Sequence, residues 1–129
     1  MKHDARVLLE DIITCSEDIL KETSAHDFAS YTSDKILKSA VERWFITIGE
    51  SLKRIRHHYP GLAARLPDVN LIVDFRNFLV HNYDSLDDTI IWSSVTDKLP
   101  PLYKKVCELR NELDHPAQPP PKPPSGPKM

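Results

Sequence analysis

The chain has few of the residues on which several common kinds of functional site depend. Its 129 residues include only three glycines, so it has no glycine-rich loop that could cradle a nucleotide phosphate. The two cysteines, Cys15 and Cys107, lie far apart, and neither has the CxxC or Cys/His spacing of a metal site. The sequence therefore predicts no metal ion or other cofactor, and two reduced thiols of the kind found in cytosolic proteins.

Long apolar runs and an excess of positive charge are missing as well. No stretch approaches the roughly 20 apolar residues of a membrane span, and the N-terminus lacks the apolar core of a signal peptide. The formal net charge is −2, and the chain before residue 115 carries 15 basic and 19 acidic residues. We expect a cytoplasmic protein with no membrane partner, in which any binding of nucleic acid rests on a local site rather than on a broad basic surface.

Proline is abundant only near the C-terminus. Seven of the eleven prolines fall in the last fourteen residues. A segment of that composition has too little apolar surface to fold into a core. We therefore predict one helical domain over residues 1–114 and a disordered proline-rich tail over residues 115–129.

Apolar residues recur every three to four positions through the domain, which predicts helices rather than strands. The predicted helices run from Asp4 to about Glu22, from Asp34 to His58 after Ser33 as N-cap, from Pro67 to about Asn82, and from Asp87 or Asp88 to about Leu113. Pro101 is expected to kink or split the last of them. Four helices of unequal length predict an all-α fold, an antiparallel bundle of four to five helices.

The same periodicity assigns apolar side chains to the core. Both tryptophans lie on apolar stripes, so burial is favoured for them over a role as stacking platforms for bases. The stripes comprise, among others, Val7, Ile36, Trp44, Leu71, Val80, Ile90, Trp92 and Leu113.

One segment crowds polar and ionisable side chains at the end of the third predicted helix. Arg76 is followed directly by Asn77 and, five positions after the arginine, by His81, which gives the pattern R-x-x-x-x-H. Tyr83 extends the pattern to R-x-x-x-x-H-x-Y. An arginine and a histidine at this spacing often occur by chance, whereas the longer pattern at a helix end is more specific.

This motif resembles that of HEPN domains, and its longer form is similar to the HepT toxins of bacterial and archaeal toxin–antitoxin pairs. The AVER and IGE stretches, residues 40–43 and 48–50, also resemble the second helix of that family. The likeness covers about Asp4 to Leu113, and the proline-rich tail departs from it. The resemblance implies a homodimeric, metal-independent ribonuclease with Arg76 and His81 as its catalytic pair, and products with 2′,3′-cyclic phosphate and 5′-hydroxyl ends.

The residues themselves suit this chemistry. RNA carries its own nucleophile, the 2′-OH, so a ribonuclease without metal needs a proton acceptor, a proton donor and positive charge at the phosphate. Imidazole can accept or donate a proton near neutral pH, which fits His81. The guanidinium of Arg76 can grip two phosphate oxygens. Asn77 lies four residues before His81 on the same helix face, where it is expected to orient the histidine or the phosphate.

The spacing of the pair also bears on the assembly. Five residues of ideal helix turn through roughly 500°, so Arg76 and His81 project about 140° apart. One helix therefore does not make a compact site. Two such helices that meet across a twofold axis would bring both pairs into one cleft, which favours a homodimer.

The resemblance assigns a separate role to Tyr83. In families of this kind a nucleotidyltransferase antitoxin of the MNT type transfers AMP to the motif tyrosine. The adduct adds bulk and negative charge beside the cleft and so repels the RNA phosphate. The resemblance thus implies such an antitoxin as a partner, and AMPylation of Tyr83 as the means of control.

Simpler structural roles compete with these assignments. Arg76 could pair with Asp74 or another carboxylate, the helix macrodipole could account for His81, and Tyr83 could be an ordinary, partly buried aromatic. Glu50 could face the cleft or water, and Gly49 is expected to permit close helix packing.

A short basic patch near the end of the second helix also has two readings. Lys53, Arg54 and Arg56 could contact RNA phosphates or form a solvated helix end. For the whole chain, the alternative to an enzyme is a non-catalytic helical partner that docks on a nucleotidyltransferase or binds its substrate. A dimerising structural protein with no nucleic-acid role is a third hypothesis.

Overall fold

The computed structural model describes residues 4–81 and 87–115. Within these residues every regular element is helical, which confirms the all-α prediction. The elements are α1 (Ala5–Thr23), α2 (Phe28–Ser33), α3 (Lys35–His58), α4 (Pro60–Ala63), α5 (Val69–His81), α6 (Asp88–Ser93), a π-helical segment (Ser94–Lys98) and α7 (Leu99–Asp114). The fourteen residues after His115, which make up most of the predicted tail, lie outside the described residues.

Aspartates cap the start of three helices, α1, α3 and α6. Asp4, Asp34 and Asp87 each accept a hydrogen bond from a backbone N–H of the following turn, at 2.9, 3.0 and 2.8 Å. The prediction of Ser33 as the N-cap of the second long helix is wrong by one residue. Ser33 ends the short helix α2 instead, and its hydroxyl donates to the carbonyl oxygen of Ala29 at 2.9 Å.

The short helix α2 has a local cause that the apolar periodicity does not reveal. The Asp27 carboxylate accepts from the Ser30 N–H at 2.8 Å, and the Ser30 hydroxyl accepts from the Asp27 N–H at 3.0 Å. This reciprocal capping box starts a helix too short to show a periodic pattern. The helix carries Tyr31 into the core, where its ring lies 5.1 Å from that of Trp92.

The central element is α3, which packs against α1 on one side and α5 on the other, while α7 packs on α1. The buried face of α3 carries Phe45, Ile48, Leu52 and Ile55, each at most 1% exposed. Full burial of one such side chain contributes roughly 1.5–3 kcal/mol. These contacts hold α5, and with it the candidate site, against the middle of α3.

Several residues predicted to be buried are exposed. Each lies on an apolar stripe of its helix, but the neighbouring helices cover only part of that stripe. On α5 the buried position next to Ile72 is Val73, whereas Leu71 projects outward. Both tryptophans are partly buried against the core, as expected. The exposed residues among those predicted are Val7, Ile36, Leu71, Val80, Ile90 and Leu113.

The interruption predicted at Pro101 lies earlier in the chain. Helix continues from α6 into α7 through the π-helical turn Ser94–Lys98, and Pro100 and Pro101 follow at the start of α7. Proline lacks an N–H, and its ring clashes with the carbonyl four residues before it. The carbonyls four residues before Pro100 and Pro101 lie in the wider π turn, which leaves room for the proline rings without ending the helix. In the described part of the chain, no helix has the length and apolar character needed to cross a membrane.

Candidate active site

The candidate site is built where α5 crosses α3 at Gly49. A Cβ at position 49 would overlap the Cβ of Arg76 and lie 2.6 Å from its Cγ. The stem of Arg76 therefore occupies the space that any larger residue at position 49 would need. Gly49 permits close packing of the two helices, as the sequence analysis expected.

The guanidinium of Arg76 is held between two acceptors. One terminal nitrogen donates to Oδ1 of Asn77 at 2.9 Å, and the other donates to Oε1 of Glu50 at 3.1 Å. The ionic partner of Arg76 is thus Glu50, on the neighbouring helix, rather than Asp74. The Arg76 side chain is 18% exposed and that of Glu50 is 46% exposed, so the pair lies at the protein surface with its carboxylate toward water.

Arg76 keeps donors that no described residue uses. Its Nε is buried and has no hydrogen-bond partner among the described residues. A guanidinium has five N–H donors, and the two bonds above occupy only two of them. Because Nε is shielded from solvent, a phosphate oxygen would be bound instead by the N–H groups that the two bonds leave over on the terminal nitrogens.

His81 is the last residue of α5 and is exposed. The helix continues from Arg76 to His81, and in an ideal helix this spacing puts the two Cα atoms about 7.5 Å apart along the axis and the side chains about 140° apart. A charged guanidinium and an accessible acid–base group therefore lie within one and a half turns of each other.

Asn77 lies beside Arg76 and orients the guanidinium through the bond described above. The sequence predicts that Asn77 orients His81 or the phosphate, whereas in the structure its carboxamide oxygen accepts a hydrogen bond from the arginine. Tyr83, the predicted site of AMPylation, lies outside the described residues.

The three residues of the basic patch are exposed on the last turns of α3. Lys53 and Arg54 follow Glu50 by three and four residues, which places them one helical turn along the same face. Arg56 points to the other end of α5 and donates to Oδ1 of Asn70 at 2.7 Å. Two of the three patch residues thus adjoin the pair formed by Arg76 and Glu50.

An apolar groove of about 320 Å³ lies between α5 and the turn that joins α6 to α7. Leu71, Phe75, Ile90 and Lys98 are among the residues that line it. Leu71 and Ile90 are each 51% exposed. The groove lies along the same helix that carries Arg76 and His81.

Among residues 4–81 and 87–115, no three or more His, Cys, Asp or Glu side chains lie together in a way that could hold a metal ion.

Residues 12–109 match the family described as ribonuclease HepT-like. The chain belongs to the ribonuclease HepT-like family. The matched span contains α3, α5 and the whole of the site built from Gly49, Glu50, Arg76 and His81. Membership confirms both the resemblance seen in the sequence and the expectation of a ribonuclease of the HEPN type.

Curated relatives agree with this assignment over nearly their whole length. The chain is 31% identical over 110 residues to a protein of Thermococcus cleftensis named "Probable ribonuclease HepT", which covers 85% of this chain and 99% of the relative. Two proteins of Methanocaldococcus jannaschii, whose names class them as RNases, are 28% and 26% identical over 105 and 117 residues. These matches cover 81% and 88% of this chain and 95% and 97% of the relatives. No solved structure matches the chain.

Glu50 is the site residue that sequence reasoning placed least well. Its own helix offers no sign of its partner, because the ion pair joins residues 26 positions apart on two helices. The usable signal is the glycine before it: a glycine in the interior of a long helix marks a place where another element comes close. The residue that follows such a glycine lies beside that element.

Proposed function

We propose that this protein is a metal-independent endoribonuclease toxin in which Arg76 and His81 are the catalytic pair. The observation that carries the proposal is the state of Arg76. Its stem lies against Gly49, its guanidinium is held by Asn77 and Glu50, and these two bonds use only one N–H of each terminal nitrogen. A cation positioned in this way, with donors to spare, suits the phosphate of an RNA backbone.

The reaction follows from the chemistry of RNA. The 2′-oxygen attacks the adjacent phosphorus, the bond from phosphorus to the 5′-oxygen breaks, and a 2′,3′-cyclic phosphate and a 5′-hydroxyl result. Arg76 binds the phosphate oxygens and stabilises the charge that develops on them. His81, exposed at the end of α5, exchanges a proton with one of the two reacting oxygens. Lys53, Arg54 and Arg56 contact the flanking RNA phosphates, and tRNA is among the candidate substrates.

The active form in this proposal is a homodimer. The apolar groove beside α5 supports it, because an exposed apolar surface of this kind is typical of interaction sites. A second copy seated along α5 would cover Leu71 and Ile90 and would bring two pairs of Arg76 and His81 toward one cleft.

Control by a partner completes the proposal. An MNT-type nucleotidyltransferase antitoxin transfers AMP from ATP to the Tyr83 hydroxyl and releases pyrophosphate. Tyr83 follows His81 by two residues, so the adduct lies close in the chain to the catalytic histidine. Its phosphate repels the RNA phosphate that Arg76 binds.

The proposed activity is tested with purified, unmodified protein and total RNA or tRNA in EDTA. Wild type is expected to cleave, and Arg76→Ala and His81→Ala are expected to lose cleavage. Arg65→Ala is a matched control, since Arg65 forms its own ion pair with Glu112 at 2.8 Å and adjoins no part of the site. A folded, dimeric wild type that leaves every RNA intact would contradict the enzyme and favour the non-catalytic docking partner.

A further inference from the structure

RNA transesterification needs two proton transfers at once. One group takes the proton of the 2′-OH as it attacks, and another gives a proton to the departing 5′-oxygen. One His81 can serve as only one of these in a given event, and in the proposed dimer the second His81 is the rival candidate for the other role. The second group must reach the same phosphate, so a group next to the guanidinium that binds it is well placed.

Glu50 meets that requirement. It contacts the Arg76 guanidinium directly, at 3.1 Å, and nearly half of its side chain is exposed to solvent. A phosphate oxygen bonded to the free donors of the same planar guanidinium would lie roughly 5 Å from the carboxylate, given ordinary hydrogen-bond lengths. A ribose hydroxyl fits between the two.

Other nearby carboxylates fit less well. Asp74 is exposed on α5 two residues before Arg76, and residues two apart on a helix do not face each other. Glu42 lies on α3 about 12 Å before Glu50 along the helix axis. Among the described carboxylates, Glu50 is therefore the one that shares a surface with the arginine.

The charges also favour Glu50 as the group that accepts the proton of the attacking 2′-OH. Before reaction, the carboxylate and the phosphate compete for Arg76 and repel each other. When the carboxylate takes the 2′-OH proton it becomes neutral, while negative charge builds on the phosphorus oxygens. The repulsion between Glu50 and the phosphate then falls, and Arg76 can bind the phosphate alone. Because this stronger binding exists only in the transition state, it raises the reaction rate.

We propose that Glu50 is the general base of the RNA cleavage reaction and His81 its general acid, a proposal that rests on the ribonuclease function above. The 2′-OH proton passes to the Glu50 carboxylate as the bond from the 2′-oxygen to phosphorus forms. The 5′-oxygen takes a proton from the His81 imidazolium as its bond to phosphorus breaks. Exchange with water then returns Glu50 to the carboxylate and His81 to the imidazolium.

The first test replaces the carboxylate without removing the hydrogen-bond acceptor. Glu50→Gln still offers Arg76 a carbonyl oxygen but cannot take a proton. We expect its single-turnover cleavage rate to fall at least about 100-fold. Binding of the same RNA with 2′-deoxy nucleotides, which cannot react, should be retained. Glu112→Gln is the matched control, since Glu112 is also about half exposed and paired with an arginine.

The second test separates base from acid. In an RNA whose scissile 5′-oxygen is replaced by sulfur, the leaving group departs without a proton. His81→Ala should regain cleavage of this substrate, and Glu50→Gln should remain slow. Formate added to Glu50→Ala should restore part of the cleavage of ordinary RNA.

The outcomes distinguish the two proposals. Cleavage by Glu50→Gln within threefold of wild type, or recovery of Glu50→Gln on the sulfur substrate, would overturn the role of Glu50 and leave the ribonuclease standing. If wild type itself fails to cleave any RNA, both proposals fall together. Loss of binding to the 2′-deoxy RNA by Glu50→Gln would show that the residue supports Arg76 rather than takes a proton.

Discussion

Substitution of Gly49 by alanine adds one methyl group at the crossing of α3 and α5. That methyl would overlap the Cβ of Arg76 and lie 2.6 Å from its Cγ. These atoms are the base of a side chain anchored to a helix backbone, so they cannot swing aside as the tip of a flexible chain would. Either α5 moves away from α3, or the Arg76 side chain leaves Asn77 and Glu50.

The loss of stability caused by the clash can be separated from the gain in stability that alanine brings through its higher helix propensity. Replacing a helical glycine by alanine stabilises by about 1 kcal/mol through propensity alone. Forcing a methyl into a packed contact costs typically 1–3 kcal/mol. Gly61, also helical, has no neighbouring atom within 4 Å of an added Cβ. Gly61→Ala thus has the higher helix propensity without the clash. The free energy of unfolding of Gly49→Ala should therefore be about 1–3 kcal/mol lower than that of Gly61→Ala.

The assay combines urea denaturation with RNA cleavage for both glycine variants. Because displacement of a catalytic group by about 1 Å can cost 100-fold in rate, Gly49→Ala should lose most activity even where it remains folded. Gly61→Ala should cleave as wild type does. A Gly49→Ala protein as stable as Gly61→Ala, with unreduced cleavage, would refute the packing argument.

Three further predictions concern other parts of the fold. Leu71→Asp and Ile90→Asp should reduce the molar mass measured by light scattering from dimer toward monomer, whereas Ile36→Asp, elsewhere on the surface, should not; an unchanged mass for all three would exclude the groove as the interface. Burial, with help from two aspartates of its own helix, raises the pKa of the Cys15 thiol to about 11. Since less thiolate then exists at pH 8, iodoacetamide should modify Cys15 far more slowly in the folded protein than in urea; equal rates would contradict that environment. The buried Tyr31 hydroxyl has no hydrogen-bond partner among the described residues, so Tyr31→Phe should match or exceed wild type in urea denaturation by up to about 1 kcal/mol, and a large loss would reveal a bond to that hydroxyl.

Much of the fold follows from local patterns in the sequence. The bounds of α3 and α5 fall within two residues of the predicted ones, because the apolar periodicity and the Tyr59–Pro60 stop are local signals. The errors have a different origin. Periodicity marks an apolar stripe but not the part of it that a neighbouring helix covers. It therefore predicts burial of Ile36, whose side chain is 85% exposed.

The candidate site likewise has a part that local sequence predicts and a part that depends on helix packing. Arg76 and His81 could be found from their spacing, because both lie on one helix and the motif is contiguous. The partner of Arg76 could not, because Glu50 comes to it through the packing of two helices. The sequence offered Gly49 as a sign of close approach, but only the structure shows that Arg76 is what approaches.

The central claim is that this protein cleaves RNA with the RNA's own 2′-OH, without metal, at a site built on Arg76 and His81. The most direct test uses a synthetic RNA cut at one mapped position, and the same RNA with a single 2′-deoxy nucleotide on the 5′ side of that position, both in EDTA. The account predicts that the all-RNA strand is cut to a 2′,3′-cyclic phosphate and that the substituted strand stays intact at that position. Cleavage of the substituted strand there, or products with a 3′-hydroxyl end, would contradict it.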